Sequence, residues 1–198
     1  MADPTLHTVL LLERPWDTPA PAGALVLRPT REQRTGAPCP AGEIRSVPGA
    51  GASRLPGTAD PRCTAATYRA VTERLTREAE QPAGRRAFFL SFVNGFPGHE
   101  EDYDRWYLQH HVHEVLAAPD FVAAQRFTLV DQLRQDLVPV CRYLAIYELR
   151  TESLAGSIAA LERRLMAGTM TPTPYKDPSR RLQLFAADAS STVRGGCP

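Results

Sequence analysis

The chain has 198 residues, 43% of them hydrophobic, enough to bury a core as one domain or as two small ones. Its 23 Lys+Arg against 22 Asp+Glu leave a formal charge of +1, which argues against a nucleic-acid partner or an anionic membrane surface. No apolar run approaches the roughly 20 residues of a membrane span, and residues 1–15 lack the pattern of a signal peptide, so no membrane partner and a cytoplasmic location are expected. Cys39, Cys63, Cys141 and Cys197 form no CxxC, which argues against a zinc knuckle or dithiol redox site and for reduced thiols.

In chain order, residues 7–13 (HTVLLLE) read as a buried strand ended by Arg14 and Pro15. Residues 16–61 are dense in Pro, Gly, Ala, Thr and Arg and read as long loops around two weak strands, 24–27 and 43–47. Residues 64–80 bring Tyr68, Val71 and Leu75 back at helical spacing, with charges opposite and Pro82 and Gly84 behind, so a solvated surface helix is expected.

From Ala87 the texture changes. FFLSFV (88–93) is a strand buried on both faces, NGFPG (94–98) a turn, and 103–118 a helix entered through acidic residues and stopped by Pro119. Residues 121–130 and 140–149 read as strands around a polar loop, 152–166 as a helix, 168–179 as a proline-rich loop and 181–187 as the last strand. The order is β-α-β-β-α-β, an antiparallel sheet covered on one side by two helices. Its other face needs a cover, and two such units packed face to face close a barrel around a cavity. Tyr143, Ala145 and Tyr147 are expected to face that lumen, with Leu144 and Ile146 against the helices. Ser91, Gln125, Phe127, Tyr143 and Tyr147 are then the expected lumen residues. A slip of one position exchanges the faces.

Four of the five histidines lie between His99 and His113, and three of them sit on the helix YDRWYLQHHVHEVLAA. At about 100° per residue, Leu108, Val112, Val115 and Leu116 cluster on the face that packs on the sheet. Tyr103, Tyr107, His110 and Glu114 share a neighbouring face, His113 points to water, and His111 falls between the two stripes. His111 is therefore the imidazole best placed in a half-buried pocket. There its ordinary pKa of about 6.5, with partial desolvation, leaves it neutral and able to accept a proton. A hydrogen-bonded structural histidine is the plain alternative.

YDRWYLQHHVHEVLAAPDFVAAQRF, after FFLSFVNGFPG and before CRYLAIYEL, resembles the dimeric α+β barrel proteins of the ferredoxin-like class. That group includes EthD-type proteins, muconolactone isomerase, antibiotic-biosynthesis monooxygenases, polyketide cyclases and hydroxynitrile lyases. The resemblance covers residues 87–187, and its most specific part is W-Y-x-x-x-H-x-x-E-V-L, whose histidine falls on His111. Asp120 stands where a glycine is usual after the proline. The resemblance implies small-molecule chemistry in a mostly apolar cavity, in a homodimer or a pseudo-dimeric single chain. The organisation expected is 1–85 as an extension or degenerate ferredoxin-like half, 86–189 as the barrel unit and 190–198 as a flexible tail.

No glycine-rich loop suits a phosphate or dinucleotide. The simplest remaining chemistry is cofactor-free acid/base work of a cyclase, isomerase or lyase type on an aromatic or polyketide-like carbonyl metabolite. His111 removes a proton beside the carbonyl or from a phenol, and Tyr107, Tyr143 or Tyr147 donates to the developing oxyanion. Arg126 is expected to orient a carboxylate or to pair with Glu148. Three alternatives stand beside this reading. One is a cofactor-free anthrone or phenol monooxygenase, in which Asn94, Trp106, Tyr107 and His111 hold the substrate anion. Another is a haem or metal site using His110 and Glu114 at i, i+4. The last is a non-catalytic ligand-binding protein.

Overall fold

The computed structural model describes residues 8–13, 27–29, 42–47, 64–77, 82–133 and 141–188. Its elements are β1 (Thr8–Glu13), β2 (Leu27–Pro29), β3 (Gly42–Val47), β4 (Thr64–Ala70), β5 (Leu75–Thr76) and β6 (Arg85–Gly95). Then come α1 (Glu100–Trp106), a π-helical turn (Tyr107–His111), α2 (Val112–Leu116), β7 (Phe121–Leu133), β8 (Tyr143–Thr151), α3 (Leu154–Met166) and β9 (Lys176–Asp188). The β-α-β-β-α-β unit is therefore present, and the fold is α+β. Its four long strands are antiparallel in the order β9-β6-β8-β7, the ferredoxin-like arrangement. The sheet continues from β7 to β4, β1 and β3, while β2 pairs with β9 at the other end and β5 adds to β7. β2 and β3, at the two ends of that path, lie beside each other. No helix among the described residues is long and apolar enough to cross a membrane.

Two apolar clusters sandwich the sheet. On the helix side, Phe89, Val93, Tyr143, Tyr147 and Leu149 pack against Tyr103, Trp106, Tyr107, Val112 and Val115. On the opposite side, Phe88, Leu90, Phe92, Phe127 and Leu144 pack with Tyr68 and Ala70 of β4. The faces expected for β8 are thus exchanged: Tyr143 and Tyr147 lie against the helices, and Leu144 and Ile146 lie on the barrel side. Both faces of this strand are apolar, so hydrophobicity alone carries no sign of which is which. The barrel side is a packed cluster, and of the five expected lumen residues Ser91, Tyr143 and Tyr147 belong to the helix side.

The helix expected over 64–80 is a second correction, since 64–70 is a strand paired with β1 and β7. Tyr68 and Ala70 are buried and Arg69 is exposed, a period of two, while Val71, assigned to the helix's inner face, is largely exposed. Pairing on both edges overrides the weak helical propensity of TAATYRA. At the start of β6, Gly84 takes φ +131°, and a Cβ there would lie 2.5 Å from the Thr151 backbone, so the chain enters the sheet hard against the end of β8.

Candidate active site

The histidine helix is shaped by its π turn, in which the Val112 N–H bonds the Tyr107 carbonyl five residues back. One extra residue in the turn rotates everything before it relative to everything after it. Leu108, expected to share a buried face with Val112, is 41% exposed for this reason, and His110 points outward. Tyr103, Trp106, Tyr107, Val112 and Val115 turn inward.

His111 sits at the inner edge of that turn, half-buried. Its ring stacks on Trp106 with centroids 4.6 Å apart and planes 24° apart, and it tilts against Tyr107 at 5.6 Å. Both His111 and Trp106 line a cavity of about 360 Å³ between the helices and the helix-side face of the sheet. Phe89, Ser91 and Tyr147 floor it, and α3 closes the far side with Ile158, Leu161 and Leu165. Its volume is at the small end of the range for small-molecule sites, about 300–1,000 Å³.

A loop forms the remaining wall. Met170, Thr171, Pro172 and Thr173 face the cavity, with Lys176 beyond them. Thr171 is the anchor: its carbonyl accepts from the Trp106 indole at 3.0 Å, and its N–H and hydroxyl donate to the Glu114 carboxylate at 3.0 and 2.5 Å. The loop is thereby tied to the helix that carries His111.

Behind the floor, the Tyr147 and Tyr107 hydroxyls share a 3.0 Å hydrogen bond. Burial pushes the Tyr107 phenol up to about 12, although the Tyr147 hydrogen bond and the Arg126 charge pull the other way. Burial, and then the neighbouring Tyr107, holds Tyr147 well above the usual phenol range. Both hydroxyls keep their protons at neutral pH and are available as donors.

Arg126 lies deeper, its side chain 3% exposed. Its guanidinium sits 4.3 Å from the centroids of the Tyr107 and Tyr143 rings and 5.1 Å from that of Tyr103, and donates to Asp104 at 2.5 Å. Cation–π contact with three rings holds a charge where water does not reach. The expected alternative partner, Glu148, instead takes Arg74 and Arg86, each at 2.8 Å.

Of the ten residues the sequence singles out, Ser91, Trp106, His111 and Tyr147 line the cavity, and Tyr107 stands directly behind Tyr147. Tyr143 and Arg126 belong to the adjoining tyrosine cluster, and the buried Tyr143 hydroxyl has no hydrogen-bond partner. The other three lie elsewhere. Asn94 accepts from the Arg142 N–H at 2.7 Å, Gln125 donates to the Thr72 carbonyl at 3.1 Å, and Phe127 is in the barrel-side cluster. Sequence reasoning missed the contribution of α3 and the 170–173 loop. The available signal was the stripe Leu154, Ile158, Leu161 and Leu165, read as a packing face, whose far end Leu165 remains 55% exposed at the rim.

The chain shares this fold with a known protein. A solved structure described as an anthrone oxidase-like protein aligns over 93% of this chain and 92% of its own, with a TM-score of 0.53 and 11% sequence identity. No family model and no curated protein matches the sequence. At that identity the likeness speaks for the α+β fold. Among the described residues no group of three or more His, Cys, Asp or Glu is arranged to hold a metal ion, and the His110–Glu114 pair of the alternative metal reading is split, His110 facing out and Glu114 holding the loop.

Proposed function

We propose that this protein is a tailoring enzyme that acts by general acid/base catalysis on an aromatic or polyketide-like carbonyl metabolite, using its own side chains. The observation that carries the reading is the His111 imidazole, stacked on Trp106, in the wall of a largely apolar cavity. His111 accepts a proton from carbon beside a carbonyl, or from a phenol. Tyr147, backed by Tyr107, donates to the oxygen on which charge develops, an interaction of a kind that contributes about 10²–10³-fold in rate. Trp106 and Phe89 offer ring faces to a flat substrate. Cyclase, isomerase and lyase chemistry share this proton removal.

A second reading is favoured by the anthrone oxidase-like description of the structural neighbour. In it the carbanion formed by His111 meets dioxygen. A ring methylene becomes a carbonyl; one oxygen atom enters the product, and the other leaves as water with the two methylene hydrogens.

Anthrone is a probe for both. Under argon, exchange of its methylene protons with D₂O, followed by proton NMR, is expected to be accelerated by the protein and to slow about 10²–10⁴-fold in His111→Ala. Equal exchange by the two proteins would overturn the role of His111. In air, oxygen uptake with formation of anthraquinone selects the second reading; exchange without uptake selects the first.

A further inference from the structure

The strand order repeats. In the C-terminal unit the four strands β6, β7, β8 and β9 lie in the order fourth, first, third, second. The four strands β1 to β4 obey the same rule: β4 pairs with β1, β1 with β3, and β2 lies beside β3. The seams repeat as well. The fourth strand of the first set, β4, pairs antiparallel with the second strand of the other, β7, while the fourth strand of that set, β9, pairs antiparallel with β2. A contact in which i meets j and j meets i is the signature of two equivalent units about a two-fold axis. Strands merely appended to an edge have no reason to reproduce both the internal order and the reciprocal seam.

We infer that the barrel is completed within one chain: the N-terminal strands are a second ferredoxin-like half that serves as a built-in partner for the half carrying the cavity. A lone C-terminal unit would expose the edges of β7 and β9 to another copy; here β4 and β2 occupy them, so no second chain is needed for closure. Between their strands β6 to β9 carry helices that wall the cavity, whereas among the described residues no helix precedes Glu100.

The first half supports the site from behind. Tyr68 of β4 packs edge-on against Phe92, and its hydroxyl donates to the Cys141 carbonyl at 2.8 Å. Just beyond β4, Arg74 bonds Glu148 of β8, and Arg77 reaches the Ala118 carbonyl at the end of the histidine helix. The strands that floor the cavity are thus backed by the built-in partner. This inference stands apart from the reaction proposed above.

The test is cross-linking of the full chain at each seam. Arg69 and Thr128 are register partners between β4 and β7, as are Arg28 and Ala187 between β2 and β9. Directly opposed strand positions are close enough for a disulfide. Arg69→Cys/Thr128→Cys and, separately, Arg28→Cys/Ala187→Cys are oxidised, mapped by peptide mass and run on denaturing gels without reductant. The expected result is a disulfide inside a single 21.8 kDa chain at either seam. A linked species of twice that mass, or a folded protein that forms neither disulfide, would overturn the inference. The two seams are independent, so failure of one variant to fold leaves the other to decide.

Discussion

Tyr107 and Tyr147 bond hydroxyl to hydroxyl at 3.0 Å, on side chains only 3% and 1% exposed, and of the two only Tyr147 reaches the cavity. Removing either hydroxyl leaves the other without its hydrogen-bond partner. Tyr107→Phe and Tyr147→Phe are each expected to cost about 1–3 kcal/mol of stability. The double variant is expected to cost less than the sum, with a coupling of about 1 kcal/mol, because the second change removes the stranded partner. Denaturant unfolding of the four proteins measures this. Strict additivity would mean the bond does not form in solution.

Glu148 gives the protein an acid-sensitive joint. Burial on its own pushes this carboxyl up, yet the hydrogen bonds and charges of Arg86 and Arg74 outweigh burial and hold it below its ordinary 4.5. A carboxylate with a depressed folded-state pKa adds stability that is complete above the unfolded value and disappears as pH falls through the folded one. Glu148→Gln is therefore expected to lower stability near pH 7 by about 1–3 kcal/mol. The gap to the wild type should narrow as pH drops below about 4.5. Both arginines are partly exposed, so added salt should shrink the effect modestly. A gap that is constant between pH 7 and pH 3 in unfolding experiments would contradict this account.

These residues also show what a sequence can and cannot announce. The order β-α-β-β-α-β was legible from 87 onward because Pro119, the NGFPG turn and the period changes punctuate it. The half-buried position of His111 was legible because helical spacing puts it between the apolar stripe and the tyrosine stripe, and in the folded helix it rests against Trp106 and Tyr107. The π turn was not, since no Gly or Pro marks it, and so Leu108 was assigned to the wrong face. Nor was the orientation of β8, whose two faces are equally apolar. TAATYRA suits either helix or strand until β1 and β7 flank it. The wall from α3 went unread because a stripe that packs and a stripe that lines a pocket have the same spacing. The expectations that fall on residues 1–7, 14–26, 30–41, 48–63, 78–81, 134–140 and 189–198 lie outside the described residues.

Glu114 is the fastener of the loop that walls the cavity. It accepts from both the N–H and the hydroxyl of Thr171, charge-assisted bonds whose net worth solvent screening reduces at this exposed position. The contact is local and partly exposed, so Glu114→Ala is expected to leave global stability within about 1 kcal/mol of the wild type. Exchange of the Thr171 amide hydrogen should instead speed up about tenfold or more. Ligands of the cavity should bind more weakly, with a faster off-rate. Unchanged Thr171 exchange in the variant would show that Trp106 alone holds the loop.

Asp120 occupies a left-handed backbone conformation, φ +70°, between Pro119 and the start of β7. A glycine there would be free of strain, which accounts for glycine being usual at this point in the proteins the sequence resembles. Asp120 offsets the strain with its carboxylate, whose Oδ2 accepts from Ser157 at 2.6 Å and Thr151 at 3.1 Å, while its carbonyl accepts from the Arg150 N–H at 2.9 Å. One side chain thus ties the helix-to-strand corner to the end of β8 and the first turn of α3. Asp120→Gly loses the carboxylate bonds but relaxes the backbone. Asp120→Ala loses the same bonds and keeps a strain of about 1–2 kcal/mol. Asp120→Asn retains an acceptor and tolerates the conformation. Destabilisation is therefore expected to rise in the order Asn, Gly, Ala, with Ala about 1 kcal/mol worse than Gly. Thermal unfolding of the three variants checks this. If Ala and Gly proved equal, the corner would not be left-handed in solution; if Gly matched the wild type, the carboxylate bonds would contribute nothing.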